Sequence, residues 1–164
     1  MKEKFKIKHW NTDEELWKEI KQNQPDLLYS DGDVPFGDCG LEIISRLYNL
    51  SAKNHGGINQ AVYNQKNKNP AMHKVGVFDI ERSQLPGIPD YVWQTDTSVG
   101  DWYYNIRDRY KTPKQVAEML VDIVSKNGNL LLNIPQRPDG TLDEECVFLL
   151  ESLAGWFGIN GEGI

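Results

Sequence analysis

Cysteine is scarce, with only Cys39 and Cys146 among 164 residues. Two thiols make no disulfide framework, and neither has a metal-ligand spacing, so both are expected as buried small hydrophobes. Long apolar runs are also missing. The longest, such as Leu130-Leu131-Leu132, fall far short of the roughly 20 residues that a membrane span needs. Met1-Lys2-Glu3-Lys4-Phe5-Lys6 leads into no apolar h-region, so no secretory signal is read there. Positive charge is in deficit: 18 Lys+Arg face 24 Asp+Glu, a net charge of -6. A protein that tracks phosphates clusters Lys and Arg instead. Nucleic acid and membrane are therefore not expected as partners. Charged residues make up 26% of the chain, an ordinary globular share that argues against wholesale disorder. The length favours a single domain over residues 1–164.

What is present alternates between two patterns. A helix is expected from Thr12 to Lys21, with Thr12 or Asn11 as cap and Leu16, Trp17 and Ile20 as its apolar face. Pro25 stops it, and a short strand follows over Asp26 to Gly32. A second helix is expected from Asp38 to Lys53, and strands at Gln60–Asn64, Lys74–Asp79 and, more weakly patterned, Tyr91–Thr95. Thr112 and Pro113 open a third helix that ends at Gly128. Asn129 to Ile134 reads as a parallel strand covered on both faces. Thr141 and Glu144 form a capping-box pattern for a last helix, with Val147, Leu150, Leu153 and Trp156 turned to a core and Gly158 as its stop.

Alternation of this kind predicts parallel βαβ units. The gaps after Asn64 and after Glu81 are too short for ordinary crossover helices, so two helices are missing from the repeat. Five strands are also too few for a (β/α)8 barrel, which takes about 250 residues. A small open sheet and part of a barrel both fit.

Carboxylates gather after strand ends: Asp31 and Asp33 after the first strand, Asp79 and Glu81 after the third, Asp96 after the fourth. Sites in parallel α/β folds collect at the carboxyl ends of strands, and two carboxylates flanking a bond are the minimum for glycoside hydrolysis. The plainer alternative for Asp31 is a turn, since Asp-Gly is a turn dipeptide, and for Glu81 a surface ion pair with Arg82 or Lys74. Tyr91, Trp93, Trp102, Tyr103 and Tyr104 form an aromatic cluster that suits either a sugar face or simple packing. His9, His55 and His73 lack metal spacing, and no metal or cofactor is expected.

Three segments together carry a resemblance: Gln24-Pro-Asp-Leu-Leu-Tyr-Ser-Asp-Gly-Asp33, Tyr91-Val-Trp-Gln-Thr-Asp-Thr-Ser-Val-Gly-Asp-Trp102, and Lys126-Asn-Gly-Asn-Leu-Leu-Leu-Asn-Ile-Pro135 with Arg137-Pro-Asp-Gly140. In this order the chain resembles glycoside hydrolase family 29, the α-L-fucosidases, from Leu16 onward. The resemblance implies an α/β fold: a partial or irregular (β/α)8 (TIM-type) barrel of parallel strands with some helices missing. It also implies a retaining hydrolase that releases terminal α-L-fucose from fucosylated oligosaccharides or glycoconjugates.

The family's nucleophile maps onto Asp31, with Tyr29 in the aromatic slot before it. Its acid/base maps onto Glu81 in Phe78-Asp-Ile-Glu-Arg82, with Asp79 as rival. Lys66, after Asn64-Gln65, takes the place of a substrate-contacting family arginine. Trp93 or Trp102 would join the apolar wall around the sugar's methyl group. The two carboxyl groups would stand about 5–5.5 Å apart, as retention requires.

Relative to the family the chain reads as the later portion of the catalytic barrel, truncated at both ends. On that reading it would be poorly active, weakly stable or self-associating through the strands ending at Asp31 and Ile134. Family members are often secreted, periplasmic or lysosomal, and the compartment stays open. Two other readings compete: a non-catalytic carbohydrate-binding or scaffold module, and a metal-dependent hydrolase using Asp31, Asp33 and Asp79.

Overall fold

The structure is a computed structural model that describes residues 11–164. The lysine-rich start and His9 lie outside the described residues. Two compact units divide the chain, Met1–Val77 and Phe78–Ile164.

In the first unit, α1 (Asp13–Asn23) starts where Thr12 accepts a hydrogen bond from the Glu15 amide at 3.2 Å. Three acidic residues in its first turn complement the helix dipole. Gln24 adopts a left-handed conformation and ends the helix before Pro25. β1 (Leu27–Tyr29) pairs in parallel with β2 (Val62–Gln65), Tyr29 standing opposite Asn64. Between them runs α2 (Asp38–Asn54). Leu16, Ile20, Ile43, Leu47 and Ala61 form a buried core, with Leu28 packed against it. Each such aliphatic side chain removed from water contributes about 1.5–3 kcal/mol. Leu28 therefore faces the helices, and Leu27, Tyr29 and Asn64 face the other way, because strand side chains alternate. Leu27 is 54% exposed. After β2 the chain makes only a 3₁₀ turn, Pro70–Lys74, capped by the Asn69 side chain. The strand expected from Lys74 thus begins later, because Asn69 and Pro70 start a helical turn first.

In the second unit, β3 (Val77–Asp79), β4 (Trp93–Ser98) and β5 (Gly128–Asn133) run parallel, β4 between the other two. No helix links β3 to β4, whereas α3 (Pro113–Ser125) links β4 to β5. Thr112 and Gln115 form a full capping box on α3. The core joins Val99, Val116, Cys146, Leu149 and Leu153, with Leu132 and Ile134 against it.

Gly128 ends no helix. Asn127 makes the left-handed turn, and Gly128 opens β5 where an added Cβ would lie 2.5 Å from the Trp93 ring. β5 is covered on one face only, and Leu131 remains 47% exposed.

The last helix, α4 (Glu144–Asn160), differs from expectation at both ends and in its face. Thr141 does not cap it, because its hydroxyl and amide both bond to Asp139 Oδ1, at 2.7 and 2.9 Å, closing the Pro138-Asp139-Gly140 turn. Asp143 occupies the cap position, and the helix runs past Gly158. Cys146, Leu149 and Leu153 are its buried residues, while Val147 and Leu150 are exposed. Apolar residues surround this helix, so periodicity alone does not select a face. Cys146 is buried as expected, but Cys39 is exposed in the first turn of α2.

Candidate active site

Within the first unit, Asp31 and Lys66 meet beyond the carboxyl ends of β1 and β2. The ladder continues past the strands: the Ser30 amide donates to Asn64 O at 2.9 Å, and the Lys66 amide to Gly32 O at 2.7 Å. This pairing brings Lys66 Nζ to 2.8 Å from Asp31 Oδ1. The lysine side chain is 16% exposed and the aspartate side chain 81% exposed. The carboxylate is thus open to solvent while its partner is held by the fold. Tyr63 donates its hydroxyl to Ser30 Oγ at 2.9 Å from the helix-facing side and steadies the turn. Asp31, Asp33, Tyr29 and Phe36 border a cavity of about 360 Å³. Asn64 is almost fully buried, and its side-chain Oδ1 has no hydrogen-bond partner among the described residues.

Within the second unit, the sequence places Asp79 and Glu81 on the same face, and the structure separates their roles. Asp79 stands opposite Gln94, which stands opposite Asn129. Gln94 Nε2 donates to Asp79 Oδ2, and Asn129 Nδ2 donates to Gln94 Oε1 at 2.8 Å. The Asp96 amide donates to Asp79 Oδ1 at 3.2 Å. Asp79 is 1% exposed and fixed in this cross-strand chain. Glu81 lies two residues further on, where Ile80 and Arg82 still donate to Gln94 O and Asp96 O. Its Oε1 accepts the Trp102 indole N–H at 3.3 Å.

The aromatic cluster is split by the sheet. Trp93 is buried on the helix-facing side of β4, and its indole donates to Lys126 O at 2.8 Å. It does not share a face with Glu81, because Gln94 and Asp96 occupy that side. The expectation that Trp93 lines a sugar pocket therefore gives way to a packing role. Trp102 does reach Glu81. Tyr103 is exposed, and the Arg137 pKa is raised by Tyr104 and Asp143 nearby. Arg137 also donates through Nε to Asp143 Oδ1 at 2.7 Å, while the Tyr110 hydroxyl donates to Asp143 Oδ2 at 2.6 Å. Burial first, then this bond, push the Tyr110 pKa well above its ordinary value. The Arg137-Pro-Asp-Gly140 segment thus clamps the entry to α4.

Sequence reasoning passed over Gln94, Asn129 and Asn64. The available signal was the even positions of β4, Gln94, Asp96 and Ser98, which are all polar within a wholly buried strand. Among the described residues, no group of three His, Cys, Asp or Glu is placed to hold a metal ion. His55 Nδ1 lies 2.8 Å from Ser51 O, a local helix contact.

Parallel strands with helices on one face and carboxylates beyond their carboxyl ends follow the plan of a (β/α)-barrel enzyme. Solved structures agree. α-L-Fucosidase isoenzyme 1 from Paenibacillus thiaminolyticus superposes over 92% of this chain and 39% of its own, with TM-score 0.72 at 23% identity. The fold is that of a partial (β/α)8 barrel. A Thermotoga maritima α-fucosidase in complex with a mechanism-based inhibitor matches at 25% identity and TM-score 0.69, over 92% of this chain and 33% of its own.

The α-L-fucosidase family model matches residues 1–162, and the chain belongs to that family. Rat tissue α-L-fucosidase is 31% identical over 92% of this chain. The chain spans about a third of the length of the curated relatives it matches, 34% in the rat protein.

Proposed function

We propose that this chain supplies both reacting carboxylates of a retaining α-L-fucosidase, with Asp31 as nucleophile and Glu81 as acid/base. The observation that carries the reading is the Asp31–Lys66 pair at the ends of adjacent parallel strands. It keeps a lysine-paired, solvent-open carboxylate where barrel enzymes work. Asp31 attacks the anomeric carbon while Glu81 protonates the departing glycosidic oxygen, leaving a fucosyl ester on Asp31. Glu81 then takes a proton from water as that water releases fucose. Lys66 offers a point charge to the carboxylate and to the sugar's hydroxyls, without the planar fork an arginine would bring. Tyr29 flanks the nucleophile, and Trp102 stands beside the acid/base. Asp79 is the weaker acid/base candidate, because its oxygens already accept two hydrogen bonds inside the sheet.

The substrate class that follows is a fucosylated oligosaccharide or glycoconjugate. The test is covalent trapping with 2-deoxy-2-fluoro-α-L-fucosyl fluoride, applied to the chain alone and to the chain co-expressed with the remaining barrel strands of a family member. Mass spectrometry of the digest is expected to find the fucosyl adduct on Asp31. An adduct on Asp33 or Asp79, or turnover with no adduct at all, would refute the assignment.

A further inference from the structure

Beyond β3 the Ile80 and Arg82 amides still bond to β4, Glu81 and Arg82 form a turn, and Arg82 has a left-handed φ of 49°. Glu81 and Arg82 both meet one aromatic ring, the carboxylate at its N–H edge and the guanidinium over its face. Trp102 donates its indole N–H to Glu81 Oε1 at 3.3 Å. The Arg82 guanidinium stacks over the Trp102 ring, 4.6 Å from its centroid, and donates to Gly100 O at 3.3 Å. From β5, Asn133 Nδ2 donates to Trp102 O at 3.2 Å and to Ser98 Oγ at 3.0 Å.

The loop carrying the ring is braced as well. Ser98 Oγ donates to Asp101 O at 2.6 Å, and the Asp101 amide donates to Asp108 Oδ2 at 2.5 Å. Gly100 is packed so closely against Asp108 that an added Cβ would collide with its carboxylate. A long, exposed glutamate side chain has several rotamers of similar energy, and fixing one of them costs entropy. A braced indole N–H supplies a directed contact that favours one.

We infer that Trp102, held by Arg82 and Asn133, is a positioning residue that sets the orientation of the Glu81 carboxyl. This goes beyond the sugar-wall role first expected of Trp102, and it rests on the reading of Glu81 as acid/base. A misoriented acid matters most when the leaving group needs a proton. A poor leaving group such as a sugar hydroxyl is therefore slowed, and a dinitrophenolate is not.

The test uses the chain itself with Trp102→Phe, which keeps the ring and deletes only the N–H, and Glu81→Gln. Five tryptophans yield five indole N–H resonances; that of Trp102 is the one lost in Trp102→Phe. Glu81→Gln is expected to displace this resonance and leave that of Trp93, bonded to Lys126 O, where it was. In parallel, kcat/KM, which reports the steps up to the fucosyl ester, is measured on a fucosyl disaccharide and on 2,4-dinitrophenyl α-L-fucoside. Trp102→Phe is expected to lower kcat/KM on the disaccharide about tenfold and on the dinitrophenyl substrate by less than about twofold.

A Trp102 resonance indifferent to Glu81→Gln overturns the inference, and so does an equal loss of kcat/KM on both substrates. If Glu81→Gln itself shows no leaving-group dependence, the acid/base reading of Glu81 has failed, while the indole signal still reports the contact. Where the chain turns over neither substrate, the indole signal alone decides.

Discussion

Asp31 and Asp79 each close a short parallel strand, one in each compact unit, and the fold treats them in opposite ways. Asp79 is the last residue of β3, inside the ladder. Gln94 and the Asp96 amide satisfy its oxygens, and it is 1% exposed. Asp31 lies two residues beyond β1, with a lysine partner and an 81% exposed side chain. A carboxylate buried between strands is consumed by holding them together. One whose side chain stands clear of the sheet keeps most of its surface open to solvent.

The sharpest way to break this comparison is to remove each carboxylate in turn. With a barrel completed by co-expression, Asp31→Asn is expected to lower hydrolysis of 4-nitrophenyl α-L-fucoside on the order of 10⁴-fold, with the circular dichroism spectrum unchanged. Activity retained within tenfold would return Asp31 to a turn residue. Asp79→Ala should act on stability instead. It strands the Gln94 and Asp96 donors in a buried setting and costs about 2–4 kcal/mol, read as a lower urea midpoint. An equal midpoint for both variants would erase the distinction.

The two tryptophans extend the contrast at smaller scale. Trp93→Phe loses a buried bond to Lys126 O and should cost about 1–2 kcal/mol in the same unfolding assay. Trp102→Phe, on the other face, should cost less than about 0.5 kcal/mol. Lys66→Met is expected to change stability by less than about 1 kcal/mol, because its partner is open to solvent. A larger loss would mean that the Asp31–Lys66 pair serves the fold in the way Asp79 does.

Much of the architecture was legible where local chemistry is decisive. Thr112 and Pro113 announce α3, and the structure adds Gln115, whose side chain completes a capping box with Thr112. The two helix-poor connections were readable from chain length alone, since a crossover helix needs a dozen or more residues. Thr141 misled because a hydroxyl serves an Asp-Gly turn as readily as a helix cap, and Asp139 was nearer. α4 misled because its apolar residues surround the axis, so contacts with α3 and β5, not periodicity, chose Cys146, Leu149 and Leu153. β4 looked weak as a strand because its even positions are polar. It is nonetheless fully buried, with Gln94 and Ser98 paired to Asn129 and Asn133 of β5.

The candidate site divides along the same line. Residue order by itself determined that Asp31 and Glu81 follow strands and that Asp79 and Glu81 share a face. Those are facts of spacing, and spacing of two along an extended chain dictates the side on which a residue emerges. Only tertiary structure decided that Lys66 reaches Asp31, that Gln94 occupies Asp79, and that Trp102 rather than Trp93 meets Glu81. Each of those contacts joins different strands or loops, and strand register brings them together. Register follows from how the whole sheet packs against its helices, which no single segment encodes.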